Sequence, residues 1–311
     1  MMNKTKLRRK LVTFVSNSPP FFYNIVNSLV LNFDNRKINS LMSEQKIPVL
    51  IYQQGRVAST SVYESLKNSF PHIPIYHLHT LSAERADEEL RKLKGNNERS
   101  FHYLHLGKIF GKLINSRAFK NKKEPWKVIT IFRDPIEILM SLYILHLEKN
   151  EEKIISAYGS LSEQNSLKYI KEKMEADDPR NWEIVTWFDS VFKKEIGVDI
   201  FAKKFDPVKG YQIIKNDNFE VLIMKFEELS KAYKYGVSEL LGLPVDRLDI
   251  EYTNLHNNKS AADLQRYIRS ELRFNEKFLD QIFDSKVYKH FYSSQQLTHL
   301  KSKWLEKTNE C

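Results

Sequence analysis

The chain has 311 residues, 41% hydrophobic and 28% charged, enough apolar content for one large soluble domain or two ordinary ones. Its 49 Lys+Arg against 39 Asp+Glu leave a formal charge of +10, which favours an anionic partner. One cysteine, Cys311, excludes an internal disulfide framework and a cysteine-rich zinc site.

Residues 1–45 read as a basic extension, in which Lys4, Lys6, Arg8, Arg9 and Lys10 precede an apolar stretch broken by Pro19-Pro20. No run reaches the ~18 apolar residues of a membrane span. Two readings stay open. The extension packs as a helix on the domain, or its cations meet anionic lipid while Phe14, Phe21 and Phe22 enter the interface. Cytoplasmic residence is expected, peripheral at the inner face of the membrane in the second reading.

One domain is expected over 46–311. Ile47–Gln53 is a nearly continuous apolar run, the pattern of a strand buried on both faces. A helix is predicted over Ser59–Asn68, a strand over Ile73–His79, and a helix from the capping residue Ser82 to Lys94. Gly107–Arg117 reads as the next helix and Lys127–Phe132 as the next strand. Pro135 then opens a helix to Leu147, because a missing N–H costs nothing at a first helical position. Helices fill 150–200, Val221–Phe226 is a last strand, and helices dominate from Leu229. Strands alternating with helices give an α/β fold with a central parallel sheet and a helix-rich C-terminal part.

The loop Gly55-Arg56-Val57-Ala58-Ser59-Thr60-Ser61 joins the first strand to its helix. Backbone N–H groups and the positive end of a helix dipole make such a turn fit for phosphate. Gly55 is expected to allow the sharp exit, Arg56 to supply a cation, and Ser59, Thr60 and Ser61 to supply hydroxyls. A capped helix start explains the same hydroxyls. The nucleotide-kinase ending, glycine-lysine-serine/threonine, is missing, which argues against ATP hydrolysis.

A second element, VITIFRDPIEILMSLYIL, ends a strand at Arg133 and places Ser141 eight residues on. In a parallel sheet ligands bind at the carboxyl ends of strands, where Arg133 offers a planar fork for phosphate. Asp134 suits a helix cap.

The two motifs together resemble those of sulfotransferases that use 3′-phosphoadenosine-5′-phosphosulfate. The resemblance implies a P-loop-type sheet, a 5′-phosphosulfate held by residues 55–61, and a 3′-phosphate held by Arg133 and Ser141. Arg56 stands where that family commonly has lysine. It keeps the charge without serving as a neutral proton donor. The runs GVDIFAKKFDPVKGYQII, VLIMKFEEL and VYKHFYSSQQLTHLKSKW are similar to bacterial capsular polysaccharide synthesis proteins, a group within the sulfotransferase-like superfamily. The resemblance implies sulfuryl transfer to a carbohydrate hydroxyl, with no metal. Lys259, with Asn258 and Tyr267, stands where a late basic loop would complete the nucleotide pocket; a solvated loop leading into an amphipathic helix is the alternative.

A general base is needed, and histidine suits neutral pH. His79 at the end of the second strand is the first candidate, His77 shares its strand face, and His105 in FHYLHLG is the rival. Trp182 and Trp187 read as core, with a sugar contact as the alternative. Two other functions stay open: a nucleotide kinase or triphosphatase, and a non-catalytic polysaccharide-assembly protein. Nucleic acid is not an expected partner, since the basic residues are dispersed.

Overall fold

The computed structural model describes residues 36, 38, 40, 43–44, 46–92, 98–149, 151–160, 162–252 and 259–306. The expected N-terminal extension lies almost wholly outside them. Five strands are present: β1 (Val49–Tyr52), β2 (Ile75–Leu78), β3 (Trp126–Phe132), β4 (Tyr211–Lys215) and β5 (Phe219–Lys225). They form one sheet in the order β2-β1-β3-β5-β4, flanked by helices, so the fold is mixed α/β. β1 is buried along its whole length and pairs in parallel with β2 (Leu50 opposite Tyr76) and with β3 (Leu50 opposite Val128). An apolar run with no polar face is what that position demands. The chain leaves β1 to one side for β2 and to the other for β3. Loops at the carboxyl ends of β1 and β3 therefore flank a switch point of the sheet.

β4 is a strand not foreseen from the sequence. Three residues, 216–218, join it to its neighbour β5, so the pair runs antiparallel. Asn216 Oδ1 accepts the N–H groups of Asn218 and Phe219, the local turn that asparagine favours. The last strand accordingly starts at Phe219, two residues before the expected Val221.

Helix α1 (Ser59–Ser69) follows β1 where predicted. The chain forms two compact units. The first holds Leu66–Thr130, Lys215–Val221 and the described residues up to Gln53. The second holds Gln54–Ser65, Ile131–Ile214 and the described residues from Leu222.

In the first unit lie α2 (Ala83–Lys92), α3 (Glu98–Ile114) and α4 (Arg117–Lys120). Ser82 caps α2 through the N–H of Arg85, as its residue type predicts. The helix expected from Gly107 in fact starts at Glu98 and passes through two glycines. A Cβ on Gly107 would stand 2.5 Å from the Thr80 carbonyl oxygen, and one on Gly111 would stand 2.4 Å from that of Leu81. These glycines mark close packing, not a helix boundary. Trp126 anchors an aromatic cluster, with ring centroids 4.8 Å from Phe119 and 5.8 Å from Phe110.

In the second unit the helices are α5 (Pro135–Lys149), α6 (Glu151–Tyr158), α7 (Glu163–Glu175), α8 (Pro179–Trp187) and α9 (Lys193–Ile196). Then come α10 (Leu229–Leu241), α11 (Lys259–Glu271), α12 (Glu276–Phe283), α13 (Lys286–Phe291) and α14 (Ser294–Trp304). Phe291 gathers the core: it stacks on Phe132 at 4.0 Å and meets Phe205 at 4.8 Å. Trp187 is buried in the same way, against Phe188 and Phe192. Burying each such ring stabilises the fold by roughly 1.5–3 kcal/mol.

Candidate functional site

The loop after β1 carries unusual backbone. Arg56 has φ 68° and Ala58 has φ 60°, both left-handed, whereas Gly55 does not. The expected role of Gly55 as the conformational hinge is thus taken by two residues that have a Cβ. Each costs about 1–2 kcal/mol in that conformation. φ changes sign at every residue from 55 to 58, the alternation from which anion-binding N–H nests are built. Val57 is buried, so any contribution from it to a ligand is through backbone. Ser59 and Ser61 are buried and Thr60 half-buried at the first turn of α1.

What holds the loop in this shape is the second motif. Arg56 Nε donates to Ser141 Oγ at 3.0 Å, and its Nη2 donates to the Ser141 carbonyl at 3.0 Å. Arg133 Nη1 donates to the Arg56 carbonyl at 2.8 Å. Asp134 caps α5 through the N–H of Ile136, and Pro135 is its first residue. That start places Glu137 and Ser141 one turn apart on one face of α5. Gly55–Ser61, Arg133 and Ser141 all belong to the second unit and are brought together within it.

Charge concentrates beside this pair of motifs. Glu137 receives Arg269 at 2.8 Å, and Arg133 and Lys303 each at 3.3 Å. Burial alone would raise the Glu137 pKa, but Arg269, Arg133 and Lys303 together bring it below the usual value. Three cations face this one carboxylate, and Asp134 and Glu227 also act on Arg133. Arg133 also lies over the Phe226 ring at 4.4 Å, and its Nε is buried without a partner. Burial lowers its pKa from an ordinary value so high that it stays charged. Glu137 stands within the second motif, but the sequence reading missed Arg269 and Lys303 as its partners. The i,i+4 spacing of Arg133 and Glu137 was a local signal for that pair alone. The side chain of Lys259 lies outside the described residues, and α11 delivers Arg269 to the cluster.

A buried polar network adjoins it. Lys225, the last residue of β5, is 2% exposed and lies 3.9 Å over the Tyr292 ring. Burial lowers its pKa. Tyr292 donates to Glu227 at 2.7 Å, and Tyr288 donates to Asp134. Burial raises the Asp134 carboxyl to about 6. Lys225 closes the apolar run VLIMK, and a cation ending a buried strand was the signal that could have found it.

The candidate bases His77, His79 and His105 belong to the first unit. Gln53 Nε2 lies 3.1 Å from His77 Nε2, and an amide N–H can only donate, so that nitrogen is the acceptor of a neutral ring. Burial, with His79 and His102 nearby, lowers the His77 pKa to about 3. His79 Nδ1 donates to the Gln53 carbonyl at 3.0 Å, which leaves Nε2 as its basic nitrogen. Burial lowers its pKa, partly offset by that bond. The His77 and His79 rings are 4.9 Å apart, as their shared strand face predicts. His105 is fully buried on α3. Among the described residues no three His, Cys, Asp or Glu side chains gather as a metal site would need, and no helix is long and apolar enough to cross a membrane.

A family model described as "putative capsular polysaccharide synthesis protein" matches residues 163–293. No curated protein and no solved structure matches the chain. The matched residues take in β4, β5 and most of the C-terminal helices, whereas Arg56, Arg133 and Ser141 precede them. Over that segment the chain is similar to proteins of capsular polysaccharide synthesis.

Proposed function

We propose that the protein transfers a sulfuryl group from 3′-phosphoadenosine-5′-phosphosulfate to a carbohydrate hydroxyl in the synthesis of a surface polysaccharide. The observation that carries this reading is the hydrogen-bonded union of Arg56, Arg133 and Ser141 beside the cations that meet on Glu137. The family match over 163–293 supplies the polysaccharide context. In this reading residues 55–61 hold the 5′-phosphosulfate, and Arg133 and Ser141 hold the 3′-phosphate. Arg269 and Lys303 add to the field there.

The acceptor oxygen bonds to sulfur as the bond from sulfur to the bridging phosphate oxygen breaks. The hydroxyl proton passes to a base, and negative charge develops on the departing phosphate. Arg56 stabilises that charge. His79 is our first choice of base, since its Nδ1–H is fixed on a carbonyl and its Nε2 can accept a proton; His105 remains the rival.

Incubation of purified protein with the phosphosulfate donor and a capsular polysaccharide preparation tests the reading. We expect release of adenosine 3′,5′-bisphosphate that depends on the acceptor and is lost in Arg56→Ala. In His79→Gln, turnover should fall about a hundredfold, the low end of a general base's contribution, with nucleotide affinity kept. Release that ignores the acceptor, or survives both changes, contradicts it.

A further inference from the structure

The second unit contains a cavity of about 420 Å³, lined by the end of α7, the start of α8 and one side of α12. Its apolar lining comes from Met174, Phe278 and Ile282, all buried. Trp182, half-buried, adds an aromatic ring, and its indole N–H donates to Asp177 Oδ1 at 3.3 Å. Asn275 donates to Glu175 Oε1 from its side chain at 2.8 Å and from its backbone at 3.4 Å. Gln281 and Lys277 complete the polar side and are exposed.

The turn that carries Glu175 and Asp177 is built, not incidental. Buried Asn181 donates to the carbonyls of Lys173, Met174 and Ala176, and accepts from Tyr143 on α5 at 2.8 Å. Tyr143 follows Ser141 by two residues, roughly 200° around the helix. The cavity is therefore approached from a different face of α5 than the one that meets Arg56.

We propose that this cavity is a subsite for an uncharged pyranose unit of an oligosaccharide, separate from the cation cluster. A pyranose has an apolar C–H face and a rim of hydroxyls. The first matches Trp182, Met174, Phe278 and Ile282; the second matches carboxylates and amides that accept and donate hydrogen bonds. The volume lies within the ~300–1,000 Å³ of small-molecule sites. Glu175 and Asp177 disfavour an anionic sugar, because like charges brought together in a site repel. Every lining residue falls in the segment that matches the polysaccharide-synthesis family. The inference rests on the carbohydrate part of the proposed function and not on its sulfuryl donor.

The test uses the full chain labelled with ¹⁵N-tryptophan. Its four tryptophans give four indole signals, and Trp182→Phe identifies the one from the cavity. Maltotetraose, cellotetraose, tetra-N-acetylchitotetraose and tetragalacturonate are titrated in turn. At least one uncharged tetrasaccharide should shift the Trp182 signal saturably, with tetragalacturonate binding at least about tenfold more weakly. Gln281→Ala, at an exposed position, should weaken the response severalfold while leaving the unfolding midpoint unchanged. A Trp182 signal unmoved by all three uncharged sugars, moved only by tetragalacturonate, or moved equally in Gln281→Ala overturns the proposal. Binding of adenosine 3′,5′-bisphosphate, followed separately by calorimetry, reports on the donor. A sugar response without nucleotide binding keeps the subsite and removes sulfuryl transfer; nucleotide binding without a sugar response does the reverse.

Discussion

Among single residues, Arg133 ties the two motifs together. Its fork links the Arg56 carbonyl to Glu137, and Phe226 backs the guanidinium. A charge-assisted hydrogen bond contributes roughly 1.5–3 kcal/mol, so Arg133→Ala should weaken adenosine 3′,5′-bisphosphate binding about tenfold to a hundredfold. Calorimetry on the variant checks this, and unchanged affinity sinks the assignment. His77 gives a prediction of another kind. Its folded pKa is about 3 against 6.5 unperturbed, so the unfolded chain binds the proton more readily. Stability is complete above about pH 6.5 and falls as the pH drops from there towards 3. By pH 5 the loss from this group should be about 2 kcal/mol. Urea unfolding at pH 7 and pH 5 should show it, with a smaller difference in His77→Gln. An equal difference in both proteins refutes the cause given. Asp134 acts in the opposite sense: with its folded pKa raised to about 6, it costs stability as the pH rises from its ordinary value of 3.8 through 6.

At the scale of elements, the loop after β1 and helix α3 show where sequence reading succeeds and where it stops. β1, β3, α1 and α5 were legible because burial on both faces, a capping aspartate and Pro135 each leave a local trace. The left-handed residues were not. Gly55 was the natural choice for an unusual turn, yet Arg56 and Ala58 take it, held by Ser141 and Arg133 far along the chain. Ala58→Gly should therefore stabilise the protein by up to about 1 kcal/mol in denaturant unfolding, as the Cβ clash is removed. A loss of that size would mean the loop is unstrained. In α3, glycines that look like helix breakers serve close approach to Thr80 and Leu81. Gly111→Val should cost about 1–3 kcal/mol by overpacking, and a neutral result in the same assay contradicts the packing argument. β4 escaped notice because YQIIK is short and only partly apolar, and its partner β5 defines it more than its own pattern does.

At the scale of the whole molecule, the ordering of strands and helices was readable, but the division into two interleaved units was not. Each unit draws on separated segments, and such long-range closure has no local signature. The same limit applies to the site. Arg56, Arg133 and Ser141 could be named from spacing and resemblance, whereas Arg269 and Lys303 reach Glu137 from helices more than a hundred residues away. Three of the chain's cations, Arg133, Arg269 and Lys303, gather in that cluster. Because Arg133 is largely buried and Arg269 partly so, salt should weaken nucleotide binding only modestly, although Lys303 is exposed. The central claim is that the loop after β1 and the Arg133–Ser141 element together form a site for a nucleotide with phosphates at both ends of its ribose. Calorimetric titration of the purified protein with adenosine 3′,5′-bisphosphate, against adenosine 5′-monophosphate and ATP, measures it directly. Selective binding that requires the 3′-phosphate is expected; no binding, or equal binding of ATP, would refute the site.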